Sequence, residues 1–341
     1  MKKISRILSV VTVAAILFTS CGFMGVSSSD LEEMLQEADE KKSENNASNE
    51  PTENPNYESL IIDYDESYVP RENADADMVA PYINAEAVCS AYQWGAHVTA
   101  LYAYLEGTIY TNQLGAYGKS SLSFCDCQDY LEGAWGVTDR ESAKQLVEKM
   151  ITYGHQAQCR AYIQEDESTQ KLIDAIESEY GDRFNFFAID NITKAYFEKN
   201  DIPTDDFYKV KAAACTGILY GENGLAAYDY MRMLRVIAFS EDCDYFSVPE
   251  YLEYTFNLTT ALQKQYSSFE EIHQCYYLGE MFRSGNDDPE TLADLKEIPA
   301  TISAMKSDKF YDEADADFDM AIEKDWDSLL ITRKELRAGL N

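Results

Sequence analysis

The chain has 341 residues, and its 61 acidic side chains outnumber its 28 basic ones, which gives a formal net charge of −33. A negative field of this size repels phosphate backbones and anionic lipid head groups, so nucleic acid is excluded as a partner. Hydrophobic residues make up 45% of the chain, which is long enough for one or two domains with a sizeable core.

Residues 1–20 have the form of a secretory signal. A basic start precedes an apolar stretch, residues 7–18, that is too short to span a bilayer. Small residues, Thr19 and Ser20, then precede Cys21, as in the lipobox of bacterial lipoproteins, where the thiol is acylated and becomes the first mature residue. We expect Cys21 to carry a lipid that tethers the protein to the extracytoplasmic face of the cell membrane. The alternative is an ordinary signal peptide with an incidental cysteine.

Residues 21–80 are predicted to form a mostly disordered acidic linker. From Glu40 to Asn56 there is no aliphatic side chain larger than alanine, so the segment cannot bury enough apolar surface to offset its chain entropy. Such a spacer would let the folded part stand clear of the membrane. The more aromatic stretch from Tyr57 to Tyr68 is a candidate for packing back on the domain.

Residues 81–286 are predicted to form a compact multi-helix, all-α domain. Apolar residues from Val88 to Leu105 recur with a 3.6-residue period, and alternating strand patterns are absent. Thr138 with Glu141 resembles a capping box that starts a helix, and Gly154 is expected to stop it.

Two later helices are predicted from their first residues. The segment from Ser247 to Glu250 places a proline in the first turn, and Ser268 precedes Glu271 by three residues. Residues 287–341 are predicted to form a C-terminal helical extension that Pro289 opens and Pro299 interrupts.

Seven cysteines follow Cys21, an odd number that cannot be fully paired within one chain. Export would permit disulfides, but most of these residues lie beside apolar residues in helical patterns, so we expect buried free thiols. They are Cys89, Cys125, Cys127, Cys159, Cys215, Cys243 and Cys275.

Three segments in order resemble a bacterial family known as domain of unknown function 1266. They are Trp135 to Ala143 with Gly154-His155, Ala227 to Arg232, and Tyr266 to Glu271 with Tyr276 to Gly279 and Arg283. Tyr228 and Phe269 stand where the family's pattern has tryptophan. The likeness spans about residues 85–285 and implies a helical fold with no established activity.

Asp229 and Arg232 are three residues apart and therefore share a face of a helix that is apolar nearly all round. They are either a positioned carboxylate and guanidinium that line a pocket, or a buried ion pair that fixes the packing of the helix. His155 is either a general acid or base or a cap for the last carbonyls of the preceding helix. Trp135, Tyr277 and Arg283 complete the set of candidate pocket or structural polar residues.

No metal site or cofactor is predicted. His97, His155 and His273 are far apart in sequence and form no zinc-binding pair. The acidic run from Asp315 to Asp319 lacks the glycine and the final glutamate of a calcium loop. The abundant tyrosines are either platforms for sugars or peptides or core residues that reach water.

These observations lead to two functional hypotheses. The first is a non-catalytic binding or scaffolding lipoprotein, whose partners are the membrane, through its lipid, and an envelope protein or small ligand. The second is a hydrolase-like enzyme with a pocket around Asp229, Arg232 and His155. The two differ in whether these side chains converge on an open pocket or are satisfied within the core.

Overall fold

A computed structural model describes residues 57–66, 68, 89–105, 124–284, 289–311 and 317–326. The predicted signal, Cys21 and most of the linker lie outside this part. Eleven α-helices and no β-strand occur within it, in agreement with the all-α prediction. The helices are α1 (Ser90–Leu105), α2 (Phe124–Trp135), α3 (Arg140–Tyr153), α4 (His155–Glu165), α5 (Glu167–Tyr180), α6 (Lys194–Lys199), α7 (Phe207–Tyr220), α8 (Ala226–Asp242), α9 (Val248–Gln265), α10 (Phe269–Ser284) and α11 (Pro289–Ser307).

Helix α8 is the centre of the core. Every residue from Ala226 to Glu241 is buried, and the helix packs against α1, α2, α3, α4, α9 and α10. A helix that is apolar on all sides must be covered on all sides, as its sequence predicts. The charges on α8 therefore lie inside the protein.

The helix termini follow the sequence signals with two corrections. Helix α3 is capped by Asp139, which forms a capping box with Ser142, so the predicted box of Thr138 and Glu141 is wrong by one residue. Helix α11 runs through Pro299 instead of being interrupted there. A proline removes one N–H donor but can be accommodated in a helix that bends around it. The predicted capping box at Ser247 is confirmed.

Residues 57–66 and Tyr68 contact the helical body, as the aromatic content of this stretch led us to expect. The hydroxyls of Tyr64 and Tyr254 are hydrogen-bonded, and the backbone N–H of Asp65 donates to Glu250 at 3.0 Å. Arg140 of α3 donates to both carboxylate oxygens of Glu250, at 2.6 and 2.8 Å, and lies over the ring of Tyr68. This segment is therefore joined to α3 and α9.

Residues 317–326, the last ones that the structure describes, pack against α1. The indole N–H of Trp94 donates to the carbonyl of Phe318 at 3.0 Å, and the backbone N–H of Ser90 donates to Asp325 at 3.1 Å. None of the described helices is long and apolar enough to cross a membrane.

Six cysteines have described side chains, and all six are buried free thiols, as the sequence predicts. They are Cys89, Cys127, Cys159, Cys215, Cys243 and Cys275. The side chain of Cys125 lies outside the described part.

Candidate functional site

The carboxylate of Asp229 caps the N-terminal end of α4. Its Oδ1 accepts the backbone N–H of His155 at 3.2 Å, and its Oδ2 accepts that of Gln156 at 2.7 Å. Asp229 is 1% exposed, and the positive end of the α4 dipole favours its negative charge. These bonds satisfy two donors that the first turn of a helix otherwise leaves unpaired.

Gly154 is the single residue between α3 and α4, and its lack of a side chain lets the carboxylate of Asp229 approach the backbone closely. A Cβ added there would lie 2.4 Å from Oδ2 of Asp229 and 2.6 Å from the carbonyl oxygen of Met150. Its φ of −62° is one that any residue adopts, so the glycine is not needed for a left-handed turn. His155 is the first residue of α4, and its Nδ1 contacts Arg232 and Asp229 of α8.

His155 lies between two charged side chains of α8, those of Asp229 and Arg232. Its Nδ1 accepts from Nη1 of Arg232 at 3.3 Å and lies 3.6 Å from Oδ1 of Asp229. Burial lowers the pKa of His155, Asp229 opposes that shift, and Arg232 adds to it. The neutral ring that results can accept from a guanidinium, which has only donors.

Asp229 and Arg232 share a helix face but do not bond to each other in the described structure. The predicted direct ion pair is thus replaced by a contact through His155. The guanidinium of Arg232 lies 4.7 Å from the centre of the Trp135 ring and 4.8 Å from that of Tyr228. Cation–π contacts of this kind are strong when desolvated, and Arg232 is only 4% exposed.

Arg283 forms a second charged contact close to this cluster. It donates to Glu280 from Nε at 3.0 Å and from Nη2 at 2.9 Å, and Tyr276 also donates to Glu280 at 3.0 Å. The Glu280 carboxylate raises the pKa of Arg283. The ring of Tyr276 is 5.3 Å from that of Tyr228, which connects this pair to the Arg232 cluster.

The structure thus brings together Trp135, His155, Asp229 and Arg232, with Arg283 next to them. Tyr277 is separate from this group and packs against Phe186, at 5.6 Å between ring centres. Sequence reasoning missed Gly279, where an added Cβ would lie 2.1 Å from Cγ of Tyr228. Helix α10 can approach Tyr228 this closely only at a residue without a side chain. The glycine that ends the Tyr276 to Gly279 motif was the feature of the sequence that could have indicated this contact.

His97 and His273 are core residues. His97 packs between Phe269 and Phe310 and is 2% exposed. His273 is bonded to the carbonyl of Val98 at 2.9 Å and to the hydroxyl of Tyr311 at 2.8 Å. Within the described residues, no three His, Cys, Asp or Glu side chains are arranged to hold a metal ion.

The chemical capacity of the cluster is limited by its burial. His155 is the most exposed of the three titratable members, at 7%. The oxygens of Asp229 are engaged by backbone N–H groups, so the carboxylate is a structural acceptor and not a poised base. Trp135 Nε1 and Tyr228 Oη are buried donors without a hydrogen-bond partner among the described residues. The arrangement fits a helix junction better than a site that substrate enters.

The fold and this cluster define a helical protein built around one buried, charged central helix. The model of a family described as "Protein of unknown function (DUF1266)" matches residues 130–312, more than half of the chain, and the protein therefore belongs to that family. No curated protein and no solved structure matches the chain significantly. Helix α1, residues 57–66 and Tyr68 lie outside the matched region yet pack on it.

Proposed function

We propose that this protein is a membrane-tethered, non-catalytic binding or scaffolding module on the extracytoplasmic face of the cell. One observation carries the non-catalytic part. The conspicuous polar constellation, Asp229 with His155 and Arg232, is sealed in the core, and its carboxylate is committed to the backbone of α4. A hydrolase would need these groups on an open pocket, where a substrate could reach them.

The sequence supports the tether. The signal in residues 1–20 and the position of Cys21 support lipid attachment, and the Glu40 to Asn56 stretch supports a flexible spacer. The contact of residues 57–68 with α3 and α9 supports a defined point at which that spacer joins the body. The strongly acidic chain argues against nucleic acid as a partner, and an envelope protein or a small ligand is the partner that we propose.

The anchor is tested with the full-length protein and a Cys21→Ser variant. The wild type should enter the detergent phase, and the variant should accumulate as unprocessed precursor or be released. Ser20→Ala keeps a small residue before the cysteine and is the matched control. Detergent partitioning that is the same in Cys21→Ser and wild type would contradict the proposed anchor.

The binding role is tested by crosslinking in cells. Phe187 is 69% exposed, which makes it a suitable position for a photo-reactive residue. We expect a discrete crosslinked adduct between this protein and an envelope component. The same adduct should form in a folded Arg232→Lys variant, because the cluster takes no part in binding. Hydrolysis of the bound component by the wild type, and loss of that hydrolysis in Arg232→Lys, would instead favour the hydrolase.

A further inference from the structure

Residues 57–66 and Tyr68, the docked segment, lie against one face of the helical body. Six side chains that contact it form the docking face: Arg140 and Lys144 of α3, Asp244 and Phe246 before α9, and Glu250 and Tyr254 of α9. All six belong to the matched region, residues 130–312, whereas the docked segment does not. The family's part of the chain therefore carries this face, and a stretch outside that part covers it.

The docked segment is held as an extended peptide. Residues 61–65 are in no helix, and Leu60 and Ile62, two residues apart, are only 2% and 7% exposed. The backbone of Asp65 is held on both sides, because its N–H donates to Glu250 at 3.0 Å and its carbonyl accepts from Arg140 at 3.1 Å. Side chains that bind backbone groups in this way select an extended chain and not a particular residue.

Tyr64 supplies the specific contact of the segment. Its ring stacks on that of Phe246, with 6.2 Å between centres, and its hydroxyl is hydrogen-bonded to that of Tyr254. The ammonium of Lys144 lies 4.3 Å from the centre of the same ring. An aromatic side chain held by stacking, a hydrogen bond and a cation is the kind of anchor that dominates binding at an interface.

The charges of the segment and of the docking face are complementary. Residues 57–68 include four acidic side chains and no basic one. Lys144 donates to Glu66 at 3.1 Å, and Arg140, one turn earlier on α3, lies 5.0 Å from the centre of the Tyr68 ring. Complementary charge of this kind directs an acidic peptide to the face.

The connection between the segment and the body is long. Twenty residues, 69–88, separate Tyr68 from Cys89, which precedes α1. A chain of that length spans up to about 65 Å when it is fully extended. The segment can therefore leave the face while α1 stays folded, and every contact that it makes can be made by the identical segment of a second copy.

We propose that the docked segment exchanges between two copies of this chain, each copy binding the segment of the other at its docking face. The contacts are the same in both states, so concentration sets the balance, and a flexibly linked segment has an effective concentration on the order of mM at its own face. Repulsion between two chains of net charge −33 opposes exchange, and salt screens it. Exchange needs neither the lipid nor an envelope partner, so its test and those above fail separately.

The test uses the full-length protein in detergent, with the photo-reactive residue benzoylphenylalanine in place of Tyr64. Chains labelled with light and heavy nitrogen are mixed in equal amounts and irradiated, and crosslinks from position 64 to the docking face are read by mass spectrometry. Docking within one chain gives no mixed-isotope pairs, whereas complete exchange gives half. We expect mixed pairs to rise at least about tenfold between about 10 μM and about 1 mM protein, and to rise again with salt. The same probe at the exposed Tyr153 controls for chance collisions.

A second experiment removes the competing contact within each chain. One chain carries Tyr64→Ala and Tyr68→Ala and keeps its docking face. The other carries Arg140→Gln and Lys144→Gln and keeps its segment, with Lys144→Gln alone as the substitute where the double change does not fold. Each chain should be monomeric alone, and the mixture should form a one-to-one complex. A free peptide of residues 57–68 should dissolve that complex, and its Tyr64→Ala form should not.

Two results would contradict exchange. Mixed-isotope pairs no more frequent than those from Tyr153 at every concentration, together with no one-to-one complex, would overturn the proposal. Binding of the free peptide in the absence of both would assign the docking face to a foreign peptide and overturn the second copy as its occupant.

Discussion

Oδ2 of Asp229 accepts the backbone N–H of Gln156 at 2.7 Å, so a side chain of α8 completes the first turn of α4, 73 residues earlier in the chain. This bond explains why the carboxylate can be buried without a direct ion pair. The partial positive charge of a helix N-terminus and two directed N–H groups replace its hydration. The junction of α3 and α4 is thereby fixed to the central helix.

We expect Asp229→Ala to cost about 3–5 kcal/mol of unfolding free energy, because it leaves two buried N–H donors without an acceptor. The double variant Asp229→Leu with Arg232→Met should not recover this loss, since leucine accepts no hydrogen bond. Asp166→Ala, which removes the cap of α5 at a half-buried position, is the matched control and should cost about 1 kcal/mol. Urea unfolding of the four proteins measures the differences. A double variant as stable as wild type would show that the cost of Asp229→Ala comes from the stranded charge of Arg232 and not from the two N–H donors.

Gly154→Ala should destabilise the fold by about 1–3 kcal/mol or more, because the new methyl group would overlap Oδ2 of Asp229 and the Met150 carbonyl. Gly133→Ala is the control, since nothing lies within 4 Å of its added Cβ and α2 should gain about 0.5–1 kcal/mol from the better helix former. Thermal unfolding of both variants decides the matter. Equal melting temperatures would mean that the junction adjusts without cost.

Acid should weaken the fold through its buried histidines. Burial lowers the pKa of His273 to about 4, from an unfolded value near 6.5, so the unfolded chain takes up a proton more readily than the native one. Stability contributed by neutral His273 is complete above about pH 6.5 and is lost as the pH falls toward 4, by roughly 3 kcal/mol in total. His155, whose pKa burial also lowers, acts in the same direction.

The measurement is urea unfolding between pH 7 and pH 5, above the range where most carboxylates titrate. The slope of stability against pH should be smaller in His273→Gln than in wild type, because glutamine takes up no proton. Identical slopes would show that His273 takes up protons equally in the native and unfolded states, so that burial does not lower its pKa.

The helices themselves were predictable, whereas the contacts between them were not. Periodicity and apolar content predicted α8 and its burial, because these are local properties of the sequence. The three-residue spacing of Asp229 and Arg232 predicted a shared face but could not reveal that the carboxylate is taken by α4. Gly154 was interpreted only as the end of a helix. Its close approach to Asp229 could not be predicted, because residues next to it in the sequence carry no information about a carboxylate on a distant helix.

The burial of Lys211 on α7 could not be predicted for a related reason. A lone lysine in an alanine-rich helix is normally assigned to a solvated face. The signal that could have found it is the four-residue spacing of Phe207, Lys211 and Cys215, which puts the amine in an apolar row. Which side of α7 is covered depends on α10, and no local pattern contains that information.

One deletion and one replacement should distinguish the contribution of the linker from that of the docked residues 57–66 and Tyr68. Removal of residues 40–56 should leave the melting temperature nearly unchanged, because a stretch of this composition makes few native contacts. Replacement of residues 57–68 by a glycine-serine segment of equal length should lower the melting temperature. The hydroxyl of Tyr254 would lose its hydrogen bond with that of Tyr64, and the side chains that pack on α3 and α9 would be removed. A large decrease after the first deletion would show that the linker packs on the body.

The six buried free thiols give this protein a set of internal reporters. They lie in or beside five helices, α1, α2, α4, α7 and α10, and at the end of α8, and in the described structure none is tied to another by a disulfide. A thiol reagent can reach each one only when its own part of the molecule opens. The order in which they are alkylated in mild denaturant would therefore map which helices detach first, without introducing a single foreign residue.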